Sequence, residues 1–174
     1  VHPTDNNVAN GTAINNLVTI SNDSTSVRLE ITSSGWAANG KLNGGLLSPS
    51  NTLLGKFAIS TATEDYFFHS TTGTFKIAGL NPSSTYKLRF FGTRLSGETR
   101  ISTFSVGLAS TNLQTSGTNI GTYVANQNDD EIAELAGLSP NGSGEISVSV
   151  ARAGLSFAHL GILEIIETPG VSTV

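Results

Sequence analysis

Three charged side chains that could contact a ligand lie close together in one short segment. Arg94, Glu98 and Arg100 surround the turn at residues 95–97. Guanidinium groups form bidentate hydrogen bonds with carboxylates and also donate to hydroxyl oxygens. The segment is therefore a candidate site for sugar hydroxyls or for a uronate carboxylate. The alternative is a surface salt bridge that pins a hairpin, which stabilises a protein by about 0–1 kcal/mol.

Two aromatic positions could supply the ring that a sugar site needs, because a ring can pack against the apolar face of a pyranose. Trp36 is the one Trp of the chain and lies among small and polar residues. Such neighbours cannot bury it, which predicts an exposed platform; the alternative is a Trp folded back over the edge of the domain. Tyr66 begins a second cluster. Alternation puts Phe67 opposite Tyr66 and Phe68, so at most two of the three rings can face a ligand, and the core is the expected place for most of the cluster.

One acidic segment contains the densest group of oxygen ligands. Its members are Asn128, Asp129, Asp130 and Glu131, with Asn126 and Glu134 beside them. Carboxylate and amide oxygens suit calcium, so the segment is a candidate calcium site although it lacks the EF-hand spacing. A solvated acidic loop is the alternative. The three His residues are far apart in the sequence and form no zinc-binding motif.

The composition excludes several classes of partner and site. The chain has 9 Lys and Arg against 13 Asp and Glu, a net charge of −4, so it has few groups to neutralise nucleic-acid phosphates. No apolar run is long enough for a membrane-spanning helix. The absence of Cys removes disulfides and thiolate sites. Only 13% of the residues are charged, and a surface of Ser, Thr, Asn and Gly indicates a secreted, extracellular protein.

Alternating apolar and polar residues predict strands, separated by turn-forming clusters of Asn, Gly, Pro and Ser. The alternation occurs at residues 27–31, 75–77, 86–90 and 146–150. The sequence therefore predicts an all-β protein, a two-sheet antiparallel β-sandwich of the jelly-roll type. The expected parts are a polar N-terminal arm or linker at 1–13, a single domain at 14–168 and a C-terminal tail at 169–174.

Two further segments extend this prediction. Residues 129–138 have a weak helical spacing and could form either a helical turn or a strand. Residues 157–166 form a long apolar run, which predicts one central strand buried on both faces. The predicted core consists of Leu29, Ile31, Phe75, Ile77, Leu88, Phe90, Ile146, Val148, Leu160 and Ile162.

A local motif precedes one predicted strand. Tyr86 follows Pro82 by four residues and resembles the tyrosine corner of immunoglobulin-like and fibronectin type III domains, where the Tyr hydroxyl reaches back to upstream backbone. Such a domain has about 100 residues, which would leave much of this chain unused. A larger jelly roll accounts better for the number of predicted strands.

A longer segment carries a family resemblance. Residues 75–94 read FKIAGLNPSSTYKLRFFGTR and are followed by Glu98-Thr99-Arg100 and by Thr103-Phe104-Ser105-Val106. This arrangement, with the opening strands at 16–18 and 27–32 and the closing one at 157–165, resembles accessory β-sandwich domains of secreted bacterial polysaccharide-degrading enzymes and surface proteins. The layout is similar to galactose-binding-like jelly rolls and carbohydrate-binding modules. The resemblance implies binding to a polysaccharide or cell-surface glycan, and a structural calcium, but it does not specify a sugar.

Two functions are therefore compatible with the sequence. The first is a non-catalytic carbohydrate-binding module of a secreted protein, with Trp36, Tyr66, Arg94, Glu98 and Arg100 as contacts. The second is a structural or adhesive subunit of an extracellular filament or virion surface. Its partners would be copies of itself, and residues 1–13 could be donated to a neighbour's sheet.

Enzymatic activity is less well supported by the sequence. A glycosidase needs two suitably placed carboxylates, and nothing selects a pair among the thirteen acidic residues. A polysaccharide lyase would need a His and a Tyr beside the arginines, and the linear sequence shows no such pattern. The prediction is that the chain is not an enzyme.

Overall fold

The computed structural model describes residues 6–154 and 156–170, and the described chain is built almost entirely from strands. There are thirteen strands in this part of the chain. They are β1 (Asn6–Val8), β2 (Ala13–Ile14), β3 (Arg28–Ile31), β4 (Trp36–Asn39), β5 (Tyr66–His69), β6 (Thr72–Ala78), β7 (Thr85–Phe91), β8 (Arg100–Val106), β9 (Ala109–Ser116), β10 (Ala133–Leu138), β11 (Ile146–Ala153), β12 (Ala158–Leu160) and β13 (Ile162–Thr168).

The strands form an antiparallel β-sandwich. One layer is a six-stranded sheet in the order β2-β3-β6-β11-β8-β9. Facing it are a four-stranded sheet, β1-β4-β5-β12, and a three-stranded sheet, β10-β7-β13. Every pairing among the described strands is antiparallel. The predicted all-β, two-sheet jelly-roll sandwich is confirmed.

The main core lies between the six-stranded sheet and the other two. Alternate residues of each strand point into it, and the rings of Phe90 and Phe104 stack with their centroids 4.2 Å apart. Eight of the ten predicted core residues are buried there. Leu29 is half-buried and packs against this core, whereas Ile162 is half-buried and packs against a separate apolar cluster. A second apolar cluster joins Leu46, Leu54 and Phe57 to Phe91.

The closing apolar run differs from its prediction. It is two strands rather than one central strand, because the pairing changes at Gly161. The strand β12 pairs with β5 in the four-stranded sheet, whereas β13 pairs with β7 in the three-stranded sheet. The backbone N–H of Gly161 donates to the carbonyl of Phe91 at 2.8 Å, which fixes the chain at this crossing.

Helical structure is confined to short turns that the sequence did not predict. They are α1 (Asn51–Leu54), α2 (Ser60–Thr63) and two 3-10 turns at Lys41–Asn43 and Gly55–Phe57. None of the described helices is long or apolar enough to cross a membrane. The ambiguous segment 129–138 contains a strand, β10, so its helical alternative is wrong.

The N-terminal prediction is wrong for part of residues 1–13. Residues 6–8 form β1, which pairs with β4 of the same chain, with Val8 opposite Trp36. The backbone N–H and C=O groups of an extended segment need partners, and an open sheet edge supplies them. Residues 1–5 lie outside the described residues. At the other end, β13 ends at Thr168, and residues 171–174 of the predicted tail also lie outside the described residues.

The predicted tyrosine corner is confirmed. The backbone N–H of Asn81 donates to the Tyr86 hydroxyl oxygen at 2.8 Å. Burial is the largest cause that raises the Tyr86 pKa, and the neighbouring Glu167 carboxylate adds to it. The corner therefore fixes the turn that leads into β7, the strand after which Arg94 follows.

Candidate functional site

A polar cavity of about 250 Å³ opens on the outer face of the four-stranded sheet. It is the candidate functional site, and we call it the arginine cavity. Its lining combines two guanidinium groups, two amides, an imidazole and two phenyl rings. These side chains belong to Asn39, Asn43, Phe68, Arg94, Arg100, Phe157 and His159.

Strand alternation places three of these side chains. In β5, Phe67 packs against the main core, so Phe68 points to the outer face and borders the cavity. In β12, Ala158 and Leu160 belong to the core, and His159 between them points outward. In β4, the same alternation sends Trp36 inward and Asn39 outward. The cavity floor is therefore a rigid sheet surface.

Arg94 forms one wall through contacts with uncharged groups. Its Nη2 donates to Asn43 Oδ1 at 2.8 Å, and its Nη1 donates to the Tyr66 hydroxyl. The Tyr66 hydroxyl in turn donates to the Asn43 carbonyl at 2.7 Å. The Nε of Arg94 is buried without a hydrogen-bond partner. Within the described residues Arg94 forms no ion pair, so its charge is not neutralised by a contact.

Arg100 differs from Arg94, because a carboxylate balances the charge of its guanidinium. Its Nη2 and Nε donate to Glu98 Oε2 at 2.7 and 3.2 Å, and its guanidinium lies 5.4 Å from the Phe157 ring centroid. These hydrogen bonds from Arg100, with one from Ser156, hold the Glu98 pKa below its usual range. The charges of Arg100 and Glu98 therefore cancel at the rim.

His159 is the buried imidazole of the cavity floor. Its backbone N–H donates to the Ser102 hydroxyl at 2.7 Å, and its Nδ1 lies 3.1 Å from the Thr115 hydroxyl. Burial, and then the positive charges of Arg100 and Arg94, lower its pKa to about 3. His159 is therefore neutral at pH 7, and the net charge of the cavity comes from Arg94.

The predicted exposure of Trp36 is wrong. The side chain is 1% exposed and points toward the six-stranded sheet, where its Nε1 donates to the Thr74 carbonyl at 3.3 Å. The ring occupies the space above Gly73: a Cβ at that position would lie 2.3 Å from Trp36 Cε2. The alternation of β4, and not the small neighbours in sequence, decides where Trp36 points. Trp36 cannot stack on a sugar.

Tyr66 also differs from its predicted role. It is 1% exposed and supports Arg94 from beneath instead of offering a free ring face. Its ring packs edge-on against His159, with centroids 5.2 Å apart. A Tyr and a His do therefore accompany the arginines in space, contrary to the expectation from the linear sequence. Of the five predicted contacts, Arg94 and Arg100 line the cavity, Glu98 pairs with Arg100, and the two rings are buried.

The acidic segment supports the loops around the cavity. Asp129 is 2% exposed, and its carboxylate accepts three backbone N–H groups at 2.7 Å, from Thr122, Tyr123 and Val124. Asn128 Nδ2 donates to the Gly92 carbonyl at 3.0 Å. These contacts tie the segment to the chain that leads to Arg94.

Asn128 and Asp130, two further predicted metal ligands, also have side-chain oxygens with partners within the chain. Asn128 Oδ1 accepts from the Glu131 backbone N–H at 2.9 Å, and Asp130 Oδ2 accepts from the Thr122 hydroxyl at 2.6 Å. Among the described residues no group of three or more His, Asp or Glu side chains converges in a metal-binding arrangement. Calcium binding by this segment stays a prediction that chelation can test.

A second cavity lies on the opposite side of the four-stranded sheet and has a different chemistry. Its volume is about 220 Å³, and its lining includes Trp36, Phe67, Phe75 and Leu163 but no charged side chain. A sugar there would lose the hydrogen bonds of its hydroxyls to water without replacement. The arginine cavity is therefore the site considered for a polar ligand.

Sequence reasoning missed Asn39, Asn43, Phe157 and His159. The signals were weak, because these residues come from separate segments that only the sheet order brings together. His159 had one usable signal, since it is a lone polar residue within the apolar run 157–166, and a buried polar group in such a run needs a specific partner.

No protein-family model matches the chain, and no curated protein matches it. The solved structures similar to it include the following two. One is TmCBM61, a carbohydrate-binding module in complex with β-1,4-galactotriose. The match has a TM-score of 0.36 and 11% sequence identity, and it covers 82% of this chain and 88% of that chain. The other is the enzymatically active domain of bacteriophage CBA120 tailspike protein 4. The match has a TM-score of 0.37 and 14% sequence identity, and it covers 80% of this chain and 19% of that chain.

The chain thus spans about a fifth of the tailspike chain that it matches. At these scores neither structure assigns a function to this chain.

Proposed function

We propose that this chain is a non-catalytic carbohydrate-binding domain of a secreted protein and that the arginine cavity binds the glycan. The observation that supports this most strongly is the combination of groups around one cavity. Arg94 and Asn43 offer hydrogen-bond donors for hydroxyl or carboxylate oxygens, and the half-buried rings of Phe68 and Phe157 border the same space. Sugar recognition requires both kinds of contact.

The lining favours binding over hydrolysis. No carboxylate of the described chain lines the cavity, whereas a glycosidase uses a pair of them. Glu98, the carboxylate that pairs with Arg100, is held ionised by that guanidinium and is a poor proton donor. His159 is neutral and buried, and its pKa of about 3 is far from the range suited to acid–base catalysis at pH 7.

Affinity electrophoresis in gels that contain neutral or acidic polysaccharides tests the proposal. We expect at least one polysaccharide to retard the wild-type protein and Arg94→Ala to abolish the retardation. Arg28→Ala is the matched control, because it removes an equal charge from a side chain that is 44% exposed and does not line the cavity. Absence of retardation by every polysaccharide would contradict the proposed function.

Two further measurements separate this function from its alternatives. Prolonged incubation with each retained polysaccharide should release no new reducing ends or unsaturated sugars, and their release would show catalysis. Light scattering after size-exclusion chromatography should show a monomer, whereas open-ended polymers would favour the filament subunit. The pairing of β1 within its own chain supports the monomer.

A further inference from the structure

We infer that the arginine cavity selects a sugar residue that bears a carboxylate, with Arg94 as the group that recognises it. This inference rests on the proposed function and specifies the ligand class. The observation behind it is that Arg94 and Arg100 have different kinds of partner. Arg100 has a carboxylate partner in Glu98 at 2.7 Å, whereas every described contact of the Arg94 guanidinium is with an uncharged group.

The charge of the cavity follows from this difference. Arg100 and Glu98 cancel, and the buried His159 is uncharged at pH 7. Arg94 therefore leaves the cavity with a net charge of +1 in a protein whose overall charge is −4. A guanidinium half-buried beside phenyl rings is poorly hydrated, so an anionic ligand gains more from it than from an exposed Lys or Arg.

The geometry of Arg94 supports the same ligand. A guanidinium has five N–H donors, and the described residues accept two of them, at Tyr66 and Asn43. Those two contacts fix the plane of the guanidinium while donors remain for a ligand. The oxygen of the Asn43 amide accepts from Arg94, which leaves the amide NH₂ group of this lining residue as a further donor. A carboxylate and an adjacent hydroxyl match this set of donors.

The size of the cavity limits how much of a glycan it holds. Its volume of about 250 Å³ lies just below the ~300–1,000 Å³ of pockets for drug-sized ligands. It therefore suits one sugar residue rather than several. The ligand class is a single uronate residue with Phe68 and Phe157 beside its ring.

A matched pair of ligands tests the inference without changing the protein. One ligand is an oligogalacturonate, and the other is the same oligosaccharide with its carboxyl groups reduced to primary alcohols. Isothermal titration calorimetry should give an affinity about tenfold or more higher for the oligogalacturonate, a difference of roughly 1.4 kcal/mol. Oligosaccharides of increasing length should bind with the same Kd. Equal affinity for the reduced ligand would overturn the inference while leaving carbohydrate binding intact.

Substitutions of Arg94 test whether this residue causes the preference for the acidic ligand. Arg94→Gln keeps hydrogen-bonding capacity and removes the charge, so we expect it to lose the preference for the acidic ligand and to retain its affinity for the reduced one. Arg94→Lys should retain part of the preference, and Arg28→Gln should retain all of it. A preference that survives in folded Arg94→Gln would refute the role of Arg94. If neither ligand binds the wild type, and no polysaccharide retards it, the proposed function itself fails.

Discussion

The two faces of the four-stranded sheet contain aromatic and polar residues from the same strands but differ in chemistry. On the inner face, Trp36 and Phe67 pack against the six-stranded sheet. On the outer face, Phe68 and His159 border a charged cavity. A shift of one position along a strand therefore separates a core residue, Phe67, from a residue that borders the cavity, Phe68. In a sheet covered on both faces, aromatic type alone does not identify a binding site.

The largest expected loss of stability comes from a substitution on the inner face of the sheet. Trp36→Ala removes a ring that fills the space above Gly73 and should lower the free energy of unfolding by about 3–5 kcal/mol. Chemical denaturation followed by circular dichroism measures this loss, and Trp36→Phe, which keeps a ring, should cost less. A variant of wild-type stability that has lost glycan binding would instead place Trp36 in the site.

The contrast between Trp36 and the core strands shows what the sequence could predict. The alternation of β6, β7 and β11 predicted six buried residues correctly, two on each strand, because each of these strands has one apolar face. For β4 and β5 the same alternation could not decide which face of the strand turns toward the core. On the outer side of these strands Asn39 and Tyr66 are buried as well, so both faces carry buried residues. The cavity was only partly predictable, because Arg94 and Arg100 are near each other in sequence whereas Asn43 and His159 join them only through the fold.

The next effect concerns the acidic segment that supports the outer face. Asp129→Asn leaves too few acceptors for the three backbone N–H groups of residues 122–124, which should cost about 1–3 kcal/mol and weaken glycan binding by loosening the chain near Arg94. Asp130→Asn is the control with the same change of charge and should cost less, because Asp130 accepts one hydroxyl. Thermal melts of both variants and the wild type measure the difference.

The same melts test calcium. Because Asp129 is satisfied by backbone N–H groups, we expect the cost of Asp129→Asn to be equal with and without a chelator. A wild-type Tm that falls on chelation and recovers with calcium but not with magnesium would confirm the calcium site predicted from the sequence.

A smaller effect, the change of the unfolding free energy with pH, tests the burial of His159. Its pKa falls from 6.5 to about 3 on folding, so between these values the unfolded chain binds a proton that the folded chain does not. The free energy of unfolding should therefore decrease as the pH falls below about 6.5, by at most about 1.4 kcal/mol per pH unit. Above that pH His159 should contribute no dependence.

His159→Gln isolates this contribution. The difference in unfolding free energy between wild type and variant should vary with pH between about 5 and 6.5, a range in which the ion-paired carboxylates stay ionised. The other two His residues are present in both proteins and cancel. A difference that does not change with pH would show that His159 is accessible to protons and that the cavity floor is open to water.

The smallest effect on stability, and the sharpest test of the two faces, comes from Phe68→Leu. The substitution keeps an apolar side chain but loses the ring, which packs edge-on against Phe157 with centroids 5.4 Å apart. Such a pair contributes about 0.5–1.5 kcal/mol beyond its buried area, so the free energy of unfolding should fall by about that amount together with the small loss of buried apolar area. Glycan affinity should fall by a larger amount, because a ring beside the sugar is lost. Phe67→Leu, one residue away on the inner face, should show the reverse: lower stability with unchanged affinity in the folded protein. If the two variants behaved alike in both measurements, alternation along β5 would not separate core from site.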